Sequence, residues 1–311
     1  MGRIQTMVVL NKRFTAEAEK IVFVEECERQ FNKQLLEVTE HICTEESLRI
    51  VMLSGPTCSG KTTTASQLAR LLKGHGKRLV MISIDDFYRD RGQLQTTQAG
   101  TVDYESIEAI DFPYLAECMS ELLENREVLL PIFDFTTGCR SGVRSFLPQK
   151  NDILLFEGIQ AIYPEILSLT PSGQSTSIYI SPQQQAEAYG AVFSPRSIRF
   201  LRRLVRDSMF RASDAARTFF LWEGVKRNED ENILPYASGA AISIDSFLPY
   251  ELNVIRPFAE SVLRMLPASD VHAAERDELL MKLSGIPVIS PAYVPENSFF
   301  REFIGSHKSF G

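Results

Sequence analysis

Gly55-Pro56-Thr57-Cys58-Ser59-Gly60-Lys61-Thr62 reads G-x-x-x-x-G-K-T, and this octapeptide decides the fold. Residues 50–53 before it are a short apolar run, and residues 62–73 after it read as a helix closed by Gly74 and Gly76. A strand, a glycine-rich turn and a helix in that order form a phosphate cradle. The glycines let the backbone curl until its N–H groups point inward, and the helix N-terminus adds a favourable dipole. Gly55, Thr57, Cys58, Ser59, Gly60, Lys61, Thr62 and Thr63 are therefore the expected phosphate contacts. Lys61 brings a point charge to the β- and γ-phosphates, and the Thr62 hydroxyl is a ligand for Mg²⁺. Cys58 reads as a small filler rather than a nucleophile.

Outward from the cradle the texture repeats. Residues 78–84 form a second apolar run that closes on Asp85 and Asp86, and residues 107–124 read as a helix. A third run at 153–156 closes on Glu157, and a fourth lies at 177–180. Apolar runs alternating with helical stretches predict an α/β fold, a mainly parallel sheet covered by helices on both faces. Residues 195–223 are helical in pattern and dense in arginine. Arg199, Arg202, Arg203 and Arg206 fall at i, i+3, i+4, i+7, which places them on one helix face. This reads as an arginine-bearing lid within a kinase-sized domain at 49–268. Residues 1–48 read as an N-terminal helical appendage, broken once, and 269–311 as an extension packing on the core.

Composition narrows the class. Among 311 residues, 44% are hydrophobic and 23% charged, enough to build a sizeable core. The net charge of −7 argues against nucleic acid or an anionic membrane as partner. Five cysteines, none in a C-x-x-C pair, read as reduced thiols and a cytoplasmic setting. No signal peptide or membrane-length apolar run is expected.

A phosphate cradle serves switches, motors and small-molecule kinases. No N-K-x-D or D-x-x-G element follows the cradle, and no strand ends in Asp-Glu. A kinase needs a carboxylate at the acceptor hydroxyl, cations on the transferring phosphoryl group and a lid against water. The sequence offers all three.

Several stretches in order resemble the uridine kinases, within the larger group that includes phosphoribulokinase and bacterial pantothenate kinase. They are Ser83-Ile84-Asp85-Asp86-Phe87-Tyr88-Arg89, Tyr104-Glu105-Ser106-Ile107-Glu108-Ala109-Ile110-Asp111, Pro131-Ile132-Phe133-Asp134-Phe135-Thr136-Thr137, Phe156-Glu157-Gly158-Ile159 and Arg202-Arg203-Leu204-Val205-Arg206-Asp207. The ending Asn297-Ser298-Phe299-Phe300-Arg301-Glu302-Phe303-Ile304-Gly305 looks like one bacterial branch of nucleoside kinases. The resemblance implies ATP-dependent phosphorylation of a nucleoside 5′-hydroxyl with Mg²⁺, uridine or cytidine foremost. It implies Asp85 as general base, with Asp86 sharing metal or water contacts, and Tyr88 over the nucleoside. Glu105 or Asp103 holds the ribose, Glu157 holds Mg²⁺, Arg203 reaches the ribose or phosphates, and Arg206 and Arg211 clamp the phosphates. Oligomers are common in this group. In its pyrimidine-specific members a Tyr and a His contact the base, where this chain has Phe133 and Gly138; Arg140 is the nearby donor, and Gly138 leaves space. A family arginine of the lid is Ser213 here. The alternatives are a kinase for a sugar phosphate or pantothenate, and a non-catalytic nucleotide-binding regulator.

Overall fold

The computed structural model describes residues 7–94, 104 and 106–306. Ten strands run in chain order as β1 (Met7–Leu10), β2 (Ile50–Ser54), β3 (Arg78–Ser83), β4 (Val128–Asp134), β5 (Cys139–Phe146), β6 (Asp152–Glu157), β7 (Ser175–Ser181), β8 (Gln185–Ala188), β9 (Ala191–Phe193) and β10 (Ile242–Asp245). The helices are α1 (Glu17–Thr44), α2 (Lys61–Gly74), α3 (Phe112–Leu123), α4 (Pro164–Leu167), α5 (Pro195–Phe210), α6 (Ala215–Asn228), α7 (Leu234–Ala237), α8 (Glu251–Arg264), α9 (Ala273–Ser284) and α10 (Arg301–Ile304).

Five strands form one sheet in the order β10-β7-β2-β6-β3, and every pairing in it is parallel. The fold is thus α/β. β2, buried at all five positions, lies at the centre. Its chain leaves toward β3 on one side, while β7 and β10 fill the other side. The loop after β2 therefore opens at the point where strand order reverses, which is where open α/β sheets bind ligands. One sheet face packs on α1, α2, α5, α8 and the C-terminal residues. The other packs on α3, the β4/β5 hairpin and the 3₁₀ turns that follow β3 and β6.

Several elements depart from the expected pattern. α1 is one unbroken helix of 28 residues, because Val24, Cys27, Phe31, Leu35, Val38 and Ile42 form a continuous buried stripe. The stretch 107–124 is not one helix. Asp111 accepts from the Tyr114 N–H as an N-cap, Pro113 sits in the first turn, and α3 starts at Phe112. The arginine-rich stretch is two helices. α5 is capped by Ser194, which accepts from Ser197 N at 3.1 Å, and α6 by Asp214, which accepts from Arg217 N at 2.8 Å.

Candidate active site

The loop from Gly55 to Thr62 is shaped by backbone that only small residues accept. Cys58 has φ 59° and Gly60 φ 90°, a left-handed region that glycine enters freely. A Cβ on Gly55 would stand 2.2 Å from the Ile180 carbonyl oxygen. A Cβ on Gly60 would stand 2.7 Å from the Phe299 ring. Gly55 is therefore fixed by close approach, and Gly60 by close approach as well as by conformation.

Four expected site residues converge at the carboxyl ends of β2, β3 and β6. Lys61 Nζ donates to the carbonyls of Gly55 at 2.9 Å and Pro56 at 3.5 Å, and lies 4.0 Å from Glu157. Thr62 Oγ1 donates to Glu157 Oε2 at 3.4 Å. Asp85 stands in the first turn after β3, within electrostatic reach of Lys61, and accepts from the Tyr88 side chain. Burial pushes its carboxyl above the ordinary range, against the pull of Lys61 and Tyr88. Burial likewise raises Glu157, opposed by Lys61 and reinforced by Asp85. Two carboxylates facing one ammonium in a partly dry pocket is a poised arrangement.

No cluster of three or more His, Cys, Asp or Glu side chains among the described residues could cage a metal. Mg²⁺ on a phosphate chain needs only one or two protein oxygens. The Thr62 hydroxyl and Glu157 carboxylate, 3.4 Å apart, fit that need.

Asp86 Oδ1 accepts from the Phe133 N–H at 3.2 Å, pinning the end of β4, and its charge is felt at Asp85. Tyr88 is buried and accepts from Gln160 Nε2 at 3.2 Å. Its ring centroid lies 5.1 Å from Tyr104, 5.6 Å from Phe133 and 6.2 Å from Phe135. These rings form an aromatic wall beside Asp85, with Phe135 56% exposed. Asp103 and Glu105 lie outside the described residues.

The space at Gly138 is not open. A Cβ there would meet Arg91 Nε at 2.5 Å and Cζ at 2.8 Å. Arg91 fills the place, donating to Tyr104 Oη at 3.3 Å and the Phe135 carbonyl at 3.4 Å. Arg140, the donor expected nearby, pairs with Asp111 at 2.9 Å and lies over the Tyr114 ring.

The arginines of α5 divide by depth. Arg199 and Arg202 are fully buried. Arg199 donates to Thr57 O at 3.1 Å and pairs with Glu229. Arg202 donates to Cys58 O at 3.1 Å and grips Glu251 with two bonds of 2.6 and 2.9 Å. Both hold the carbonyl side of the phosphate loop. Arg203, Arg206 and Arg211 gather on the buried carboxylate of Asp207, at 3.2, 2.7 and 3.7 Å. Sequence reading missed Asp207 as their organiser, and it missed Arg91. It also missed Glu302, whose Oε2 accepts from Thr63 Oγ1 at 2.7 Å across 239 residues. For Glu302 the only sequence signal is the ending 297–305 itself.

A parallel sheet with this loop at its centre and a lysine, a threonine and two carboxylates around it defines a P-loop phosphotransferase. Residues 50–250 match the phosphoribulokinase / uridine kinase family, and the chain belongs to that family. It is a phosphotransferase acting on an alcohol acceptor. A uridine kinase of Lactobacillus helveticus is 28% identical over 158 residues, covering 51% of this chain and 67% of that protein. The Lactobacillus johnsonii uridine kinase is 28% identical over 162 residues, covering 52% and 69%. The solved structure of a possible uridine kinase from Bacillus stearothermophilus superposes with a TM-score of 0.41 at 19% identity, over 48% of this chain and 80% of that one.

Proposed function

We propose that this kinase transfers the γ-phosphoryl group of Mg·ATP to the 5′-hydroxyl of a nucleoside. The observation that carries the reading is the junction of two surfaces. Lys61, Thr62, Asp85 and Glu157 gather at the phosphate loop, and the Tyr88, Tyr104, Phe133 and Phe135 rings begin beside Asp85. A flat base suits an aromatic wall, and a ribose then spans to the carboxylate.

In this reading Asp85 orients the acceptor hydroxyl and takes its proton as the hydroxyl oxygen attacks the γ-phosphorus. The bond from the γ-phosphorus to the bridging oxygen breaks in line, and ADP leaves. Partial burial makes Asp85 a stronger base than a solvated carboxylate. Lys61, Arg206 and Arg211 are the cations on the transferring group, with Arg203 beside them. Thr62 and Glu157 would hold Mg²⁺, which neutralises phosphate charge when bound. Uridine and cytidine, acceptors of the relatives, are the first candidates. Phe133 and Arg91 replace polar groups with a ring and a guanidinium, so base preference is set differently here.

The test is ADP release from Mg·ATP with uridine, cytidine, adenosine, guanosine, inosine, pantothenate and ribulose 5-phosphate. One nucleoside should drive turnover that Asp85→Asn lacks while still binding ATP. Turnover only with pantothenate or the sugar phosphate, or with nothing, would reject the nucleoside reading.

A further inference from the structure

Gln160 is an amide in a place that suits an apolar side chain. It lies in the 3₁₀ turn Ile159–Ile162 after β6, with no exposed surface, and Ala161 and Ile162 beside it are core residues. Its Oε1 has no partner among the described residues. Burying an amide with its acceptor unused is unfavourable, so packing alone does not account for this residue. The turn that carries it is tightly placed. Ser54 Oγ, just before the phosphate loop, donates to the Ile159 carbonyl at 2.6 Å. A Cβ on Gly158 would stand 2.9 Å from Ile84 Cβ, so the turn abuts the residue before Asp85.

What Gln160 uses is its amide nitrogen. Nε2 donates to the Tyr104 carbonyl at 2.8 Å and to Tyr88 Oη at 3.2 Å. A backbone carbonyl only accepts, so Tyr104 fixes which end of the amide faces this corner. The nitrogen end only donates, so Tyr88 Oη accepts from it and cannot donate to it. The phenolic proton of Tyr88 is thereby left for Asp85, whose carboxylate accepts from the Tyr88 side chain. The direction of every bond in this chain follows from one carbonyl and one amide.

We infer that Gln160 is a positioning residue for phosphoryl transfer: by donating to the Tyr104 carbonyl and to Tyr88 Oη it aims the Tyr88 hydroxyl at Asp85, and so holds the carboxylate with its other oxygen toward the acceptor hydroxyl. A carboxylate tied at one oxygen offers a single approach, whereas one free to turn spends part of its time out of line. With the amide gone, the bared Tyr104 carbonyl competes for the phenolic proton and Asp85 loses its anchor. Gln160 acts only through Tyr88. The inference rests on the kinase reading above, with Asp85 as base, so it is tested with one readout that needs an acceptor and one that does not.

The first experiment is a double-mutant cycle on uridine phosphorylation by the full chain, read as ADP release from Mg·ATP, with Tyr88→Phe, Gln160→Leu and the two together. Tyr88→Phe should lower kcat by about tenfold or more, as loss of a hydrogen bond to a charged group requires. Gln160→Leu should lower kcat in the same direction and leave the KM for ATP unmoved. The double variant should be no slower than Tyr88→Phe, because the amide has nothing to act through once the hydroxyl is gone. Losses that multiply would make Gln160 a brace of the fold and overturn the inference, as would a Gln160→Leu kcat equal to wild type. The second readout labels tyrosine with ¹³C at Cζ and identifies the Tyr88 resonance by its absence from Tyr88→Phe. Asp85→Asn should move that resonance in the wild-type background and move it less in Gln160→Leu, where the hydroxyl has turned to Tyr104. Equal displacement in both backgrounds would overturn the inference. The spectral coupling without turnover on uridine would sink only the acceptor reading; turnover with multiplying losses would sink only this one.

Discussion

Asp85 and Glu157 are carboxylates held where charge is disfavoured. Burial raises both, and Lys61 pulls both back. A raised carboxyl binds its proton more tightly in the folded state than in the unfolded chain. Stability from these two groups is thus fully present below the unfolded value, about 4, and is lost as pH rises through the folded values. Removing the charge should relieve this. Asp85→Asn and Glu157→Gln should each raise the ligand-free Tm at neutral pH, by about 2 °C or more, and flatten its decline above pH 4. Thermal melts at several pH values would show it; a lower Tm in both would mean that the Lys61 pairing outweighs burial. Activity runs the other way. Asp85 must be ionised to accept a proton, so turnover should fall as pH drops through its raised value, and earlier than an ordinary aspartate would dictate. A turnover profile flat down to pH 4 would remove Asp85 as the base.

At the scale of elements, α5 carries the phosphate loop from behind. Arg202 and Glu251 are both buried and doubly bonded, so removing one leaves the other stranded. Arg202→Met should cost about 3–5 kcal/mol in urea denaturation. Adding Glu251→Leu should recover part of that stability, because an apolar pair suits the site. ATP affinity should not recover, since the Cys58 carbonyl stays without its donor. Recovery of both together would make the pair merely structural. This division of labour was only half legible in the sequence. The spacing of Arg199, Arg202, Arg203 and Arg206 gave the shared helix face, but periodicity says nothing of what lies against it. The loop and its flanking strand and helix were legible because their chemistry is local: glycines, a lysine and a threonine in eight residues. The β4/β5 hairpin was not, because β5 (Cys139–Phe146) has no buried residue and so no apolar alternation. β10 (Ile242–Asp245) has four residues, too few for a period to emerge. Asp85, Glu157 and Lys61 were readable as strand-end and loop residues; Arg91 over Gly138 was not, because a glycine does not reveal which side chain fills its space.

Across the whole molecule, the family-matched core is enclosed by parts outside it. Glu28 on α1 accepts from Tyr250 Oη at 2.5 Å and Ser298 Oγ at 2.6 Å, tying the N-terminal helix to the C-terminal segment. Phe299, Phe300 and Phe303 are fully buried. Phe299 packs on Phe31 of α1 at 4.6 Å and against Gly60, and the Arg202 guanidinium lies over both Phe299 and Phe303. Truncating one such ring costs about 3–5 kcal/mol, a large share of the 5–15 kcal/mol that holds an ordinary domain together. Losing all three should leave no folded state. Residues 50–250 expressed alone should therefore lack a cooperative urea transition and bind no ATP. Phe299→Ala in the full chain should stay folded, lose about 3–5 kcal/mol, and bind ATP more weakly because Gly60 loses the ring that fixes its turn. A folded, ATP-binding 50–250 fragment would show that the matched core is self-sufficient. A Phe299→Ala variant destabilised but unchanged in ATP affinity would show that the ring supports the fold without shaping the cradle.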